Sequence, residues 1–143
     1  MMAISVRQPW AYWIVHGFKD VENRTWKHGY RGEVLIHAAA GLTAKEYDAA
    51  VAFVWRLKGL ARGVPIPRFE ELPRGGIVGV ARVTGCTTYS PSPWFTGPVG
   101  FVLAEAYPLP FRPSRGALGF YVFEGLREWN SETLAEPWPE EAA

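Results

Sequence analysis

A chain of 143 residues has the size of a single domain, and its 48% hydrophobic and 20% charged residues exclude a disordered or collagenous polymer. The one cysteine, Cys86, excludes an internal disulfide and a thiolate zinc site, no apolar run nears the ~20 residues of a membrane span, and no signal-peptide pattern opens the chain, so a cytoplasmic protein without metal or cofactor is expected. The net charge of +1 excludes a basic nucleic-acid binder only as an average: residues 124–143 hold six acids and one base (−5), and the 123 residues before them carry +6.

Residues 1–6 are short, apolar and β-prone. Pro9 then stands where a helix starts without losing a useful N–H, which predicts a helix over residues 9–16 that groups Trp10, Trp13 and Ile14 and stops at Gly17. A strand over residues 21–26 would turn Glu22, Arg24 and Trp26 to one face, an unusually polar face for a buried strand. Residues 33–39 contain the apolar run Val34-Leu35-Ile36, a short buried strand in which His37 reads as a satisfied core histidine. From Thr43 to Leu60 the residues Tyr47, Val51, Val54 and Leu57 or Lys58 recur at helical spacing, with Thr43 and Glu46 forming a capping box.

Residues 63–75, with three prolines, read as a loop. A valine-rich strand follows over residues 76–87, where Gly79 and Gly85 predict bends or bulges. Trp94 and Phe95 are expected to stand exposed among prolines and Gly97. Strands are predicted over residues 99–104 and 118–123, separated by the proline-bearing segment 109–113 and the turn Arg115-Gly116. Short strands with two early helices do not alternate as β-α-β units. The expected fold class is α+β: a small β-barrel of five or six strands flanked by two or more helices.

Lys19, Glu22 and Arg24 fall within six positions. Two cations beside one carboxylate keep it ionised and leave positive potential for a phosphate. Arg24 suits a planar, bidentate contact, and Lys19 a compact charge or a proton acceptor. Trp10, Trp26 and Trp94 offer faces for base stacking, though Trp26 reads equally as core and Trp94 as a cap on the barrel. Arg7 reads as a ligand contact or as an anchor of the first strand to Glu22.

Residues 5–10 (Ser-Val-Arg-Gln-Pro-Trp), the segment Gly17 to Trp26 with Gly17, Lys19, Glu22 and Arg24 spaced as G-x-K-x-x-E-x-R, and Tyr30-Arg31-Gly32 followed by Leu35-Ile36-His37-Ala38 together resemble the ASCH family. The likeness continues through Gly76 to Val80 and Gly116 to Phe120, so an ASCH domain is expected over residues 1–123 of a small stand-alone member, with an acidic tail over 124–143. The resemblance implies a PUA-like barrel with an RNA- or nucleotide-related cleft, and it adds Arg115, ahead of the last strand, as a phosphate contact. The partner implied is RNA or a modified nucleoside or nucleotide. The binding residues expected are thus Arg7, Trp10, Lys19, Glu22, Arg24, Trp26, Trp94 and Arg115.

The same cleft has a hydrolytic alternative, with Lys19 and Glu22 as catalytic candidates. Some small members of the family are amidohydrolases on acylated cytidine, using a threonine three positions after the motif lysine and an acid on a later strand. Glu22 and Arg82 occupy those places here, which argues against that chemistry. A metal-independent ribonuclease, also known in the family, would divide base, acid and cation roles among Lys19, Glu22, Arg24 and Tyr30. Binding ranks first. The tail reads as a solvated end, with Trp129 and Trp138 docking on the barrel, or as a mimic of nucleic acid lying over the basic cleft.

Overall fold

The computed structural model describes residues 1–57 and 63–124. In chain order it holds β1 (Met2–Val6), α1 (Trp10–Val15), β2 (Val21–Arg24), β3 (Gly32–Ala38), α2 (Ala44–Arg56), a 3-10 turn (Phe69–Glu71), β4 (Gly76–Thr87), β5 (Val99–Pro113) and β6 (Phe120–Val122). The strands form one sheet in the order β2-β5-β4-β3-β1-β6, with β1 and β3 parallel and the other neighbours antiparallel. The sheet curls until its two margins approach: Trp26, just past β2, lies 5.8 Å from Phe120 of β6, and Arg24 of β2 reaches the Ser5 carbonyl of β1 at 2.7 Å. This is the expected α+β, PUA-like class, a curled half-barrel with two helices.

β4 and β5 form the long hairpin that makes the curl. Their pairing slips between Ile77 and Gly79, between Val80 and Arg82, and between Val83 and Gly85, so both glycines expected to mark bulges sit at register shifts. The predicted strand over residues 99–104 is in fact the first part of a strand that continues to Pro113. Pro108 and Pro113 are accommodated opposite Gly79 and Gly76, and Glu105, at φ 51°, turns the chain between the two halves. Prolines usually end a strand because they cannot donate to the ladder; bulged pairing relaxes that demand. β2 and β6 are shorter than expected, ending at Arg24 and beginning at Phe120.

The concave face buries Ile4, Val6, Val34, Ile36, Val83 and Phe101. α1 lies on it through Ala11, Ile14 and Val15, and Pro9 precedes its first turn as expected. Its other side carries Trp13, fully buried against Ala50, Val54 and Leu57 of α2 and against Trp94. α1 is therefore a middle layer between sheet and α2. Buried Gln8 fixes it, accepting from the Tyr12 N–H at 2.9 Å and donating to the Pro73 carbonyl at 2.9 Å. The Thr43/Glu46 capping box is present, and α2 ends with Leu57 as C-cap; residues 58–60 of the predicted helix lie outside the described residues. Its buried stripe uses Ala50, where the periodicity favours Val51, because a small side chain lets the helix approach the Trp13 and Trp94 rings. The tail beyond Glu124, with Trp129 and Trp138, lies outside the described residues.

Gly79 governs how closely α1 approaches the sheet. A Cβ there would stand 2.5 Å from the Val15 Cγ1 and 2.6 Å from the Tyr107 carbonyl oxygen. Gly79→Ala is expected to destabilise the fold by about 1–3 kcal/mol through overpacking, read as a lower urea midpoint at unchanged slope.

Candidate functional site

Gly17, at φ 82°, ends α1, and the amides of Phe18 and Lys19 both donate to the Trp13 carbonyl at 2.9 Å. This tight reversal folds the Lys19 side chain back under β2. Its ammonium donates to the Val21 carbonyl and to Glu22 Oε1 (3.1 Å), and the residue is 3% exposed. Two residues after Glu22 on the same face of β2, Arg24 Nη2 donates to Glu22 Oε2 at 2.9 Å and to the Ser5 carbonyl. Each oxygen of Glu22 thus holds one cation. Burial pushes the Glu22 carboxyl upward, but the charges and hydrogen bonds of Lys19 and Arg24 outweigh it and hold the group below the usual carboxylate range.

Above this triad opens a cleft of about 780 Å³. Ser5 to Arg7 at the end of β1 and Trp10 of α1 form one side, and the loop around Trp94 and Thr96 forms another. α2 supplies the facing wall through Glu46, Ala49, Phe53 and Arg56, residues three and four apart and hence on one helix face. Trp10 and Phe53 meet edge to face at 5.4 Å, and Phe53 stands 6.0 Å from Trp94, so an aromatic seam runs across the cleft. Lys19 Nζ lies 5.9 Å from the Trp10 ring. Four cations (Arg7, Lys19, Arg24, Arg56) line the cleft against two carboxylates, Glu22 and Glu46.

Asn23 holds the loop. Its Nδ2 donates to the Trp94 carbonyl at 2.9 Å, and its Oδ1 accepts from the Thr96 and Gly97 amides at 2.9 and 3.1 Å. Arg7 Nη1 donates to the Gly41 carbonyl (2.9 Å) and pairs with Glu46 Oε2 (3.2 Å), tying β1 to the start of α2. Glu46 is held below its usual range first by its hydrogen bonds to Thr43 and then by the Arg7 charge.

Six of the eight residues singled out in the sequence line this cleft: Arg7, Trp10, Lys19, Glu22, Arg24 and Trp94. Trp26 and Arg115 do not. Trp26 packs behind the site against Phe101 and Phe120, with Arg24 6.0 Å from its ring, and Arg115 is exposed in the loop before β6. Three expectations change. Trp94, expected exposed, is 3% exposed, because its ring fills the gap between Trp13 and Phe53. Arg7 does not anchor β1 to Glu22; Arg24 does so from the other side, and Arg7 turns to Glu46. Tyr30, a candidate for the nuclease roles, spends its hydroxyl on the Glu33 carbonyl and is not a lining residue. The sequence reading missed Asn23, Phe53, Arg56 and Thr96; for the α2 residues the only local signal was their shared helix face.

The family model for the ASCH domain matches residues 4–109. The chain belongs to the ASCH domain family. Activating signal cointegrator 1 of Homo sapiens is 31% identical over 83 residues, covering 58% of this chain, and its Mus musculus counterpart is 29% identical over 83 residues. The matched part is 14% of the length of these curated relatives. Two mutant ZmASCH proteins from Zymomonas mobilis are similar in structure, with TM-scores of 0.44 and 0.46 at 16% identity, covering 78% of this chain and 72% and 74% of theirs.

Two outcomes follow for this ASCH domain. Lys19→Met leaves Glu22 buried with one partner, and truncating a buried pair on one side is expected to cost about 3–5 kcal/mol in urea denaturation. Because folding lowers the Glu22 pKa, the stability it contributes is complete above the unfolded value of ~4.3 and is lost as pH falls through the lower folded value. The loss of stability between pH 6 and pH 3 is expected to shrink in Glu22→Gln; an equal loss in both proteins would contradict this account.

Proposed function

We propose that this ASCH domain binds RNA, or a nucleotide of the RNA type, in the cleft above Lys19, Glu22 and Arg24. The observation that carries the reading is the pairing of unspent cationic donors with aromatic walls. Arg24 uses only Nη2, and Arg56 makes no hydrogen bond or ion pair among the described residues. Phosphate oxygens take such donors readily, and guanidinium is suited to them by its planar fork. Trp10 and Phe53, both half-buried, present ring surface to the same space. Stacking of a base on an aromatic ring contributes roughly 1–3 kcal/mol in single-strand binders.

Glu22 does not oppose this polarity, since its charge is matched within the fold on both oxygens. Arg7 is matched by Glu46, so the excess of cations over carboxylates is carried by Arg56 at the cleft edge and by Arg24, the second cation on Glu22. The hydrolytic alternative has weaker support. A general base must accept a proton, and Lys19 is arranged as a donor to two acceptors.

An eight-nucleotide single-stranded RNA is expected to quench the tryptophan fluorescence and to lose affinity steeply as salt rises. Arg56→Ala, at an exposed position, is expected to weaken that binding about tenfold, equivalent to about 1.4 kcal/mol. No binding at low salt would discard the reading. Metal-free cleavage of the same RNA that disappears in Glu22→Gln would replace binding with catalysis.

A further inference from the structure

We propose that the β2–β3 loop and the loop before β6 together form a second contact surface, which takes the phosphate backbone of an RNA strand where it leaves the cleft. The proposal rests on the cleft's reading as an RNA site and extends it to residues outside the cleft. Residues 23–32 and 106–123 are both free of acids, and the two segments meet where residues 26–30 pack on residues 119–120. Trp26, His28 and Tyr30 surround Phe120 at ring distances of 5.8, 4.9 and 5.6 Å. This aromatic plug closes one end of the half-barrel and gives two loops a fixed relation.

On its outer side the plug carries cations. Lys27, His28 and Arg31 are exposed. Arg31 Nη1 donates to the carbonyls of His28 (3.1 Å) and Tyr30 (2.8 Å), which orders the loop and leaves Nη2 and Nε without a partner among the described residues. The Lys27 ammonium has no hydrogen bond or ion pair among the described residues either. Glu33, two residues after Arg31, is engaged by Arg82 at 3.3 Å. In the second loop, Arg115 is exposed, and its neighbour Gly116 lies so close to β1 that a Cβ would stand 2.2 Å from the Ser5 Oγ. The same loop reaches the first one at Gly119, where a Cβ would stand 4.0 Å from the Trp26 ring.

Arg24 joins the two surfaces, because it lines the cleft and its guanidinium lies 6.0 Å from the Trp26 ring. A strand bound at Arg24 that continues past the plug meets two loops that carry Lys27, Arg31 and Arg115 and contain no acid of their own. Leu118, 98% exposed in the second loop, offers apolar contact to a base or sugar. Exposed cations on two packed loops, joined to a base-sized cleft through Arg24, fit a polyanion whose charges repeat along a chain.

Fluorescence anisotropy with a 3-nucleotide and a 12-nucleotide single-stranded RNA tests this. In a Lys27→Glu/Arg31→Glu protein, affinity for the 12-mer is expected to fall more than tenfold and its log-affinity against log-salt slope to flatten by about 1.4, while affinity for the 3-mer stays within twofold. Lys27→Glu/Arg115→Glu preserves the Arg31 bonds that order the loop and is expected to behave alike if the first variant loses its fold. Unchanged 12-mer affinity in the folded variants overturns the second surface while leaving the cleft intact. Failure of both RNAs to bind the unsubstituted protein overturns the cleft reading and this one with it. An equal loss toward a 12-residue polyglutamate peptide would assign the surface to acidic chains in general and overturn its assignment to RNA.

Discussion

The clamp of Lys19 and Arg24 on Glu22 is the interaction on which the rest of the structure depends. A carboxylate this deeply buried is tolerable only with both oxygens satisfied, and each oxygen here holds its own cation. The consequence reaches past the triad. Arg24 also donates to the Ser5 carbonyl, so the group that neutralises Glu22 on the edge strand β2 ties that edge to β1, next to the opposite margin of the sheet. Charge satisfaction and closure of the half-barrel are one arrangement.

The cleft exists because α1 is short and doubly packed. Six residues long, it cannot be stable alone and takes its order from the sheet beneath and α2 above. Trp13 fills the space between the helices, with its indole N–H donating to the Pro65 carbonyl at 2.8 Å. Trp10, three residues earlier at the start of α1, touches the Trp13 ring and is left half-buried at the boundary, where it becomes a wall. The same geometry buries Trp94 under α2 and sets the width between Trp10 and Arg56.

Cations on this domain fall into two kinds. Lys19 is consumed by the fold, and Arg82 is shared between Glu33 and Glu105. Arg56, Lys27 and Arg115 are exposed with no ion pair among the described residues, and Arg24 belongs to both kinds because a guanidinium has donors to spare. Net charge averages over these kinds. A formal value of +1 therefore says little about the potential that a ligand meets at the cleft.

The sequence by itself determined the local features: the Thr43/Glu46 capping box, the stop at Gly17, the bulges at Gly79 and Gly85, and the common face of Glu22 and Arg24. Each depends on neighbours a few positions apart, where helical or strand periodicity fixes direction. Only the tertiary structure decided which groups meet across the chain. Arg7 finds Glu46 and not Glu22, Trp94 is enclosed by helices some forty and eighty positions earlier, and the Pro108–Pro113 segment stays in the sheet because β4 bulges opposite it. Phe53 and Arg56 become cleft residues once Ala50 lets α2 pack close to Trp13 and Trp94. Periodicity sets the face a residue occupies on its own element, whereas packing of one element on another sets what that face meets.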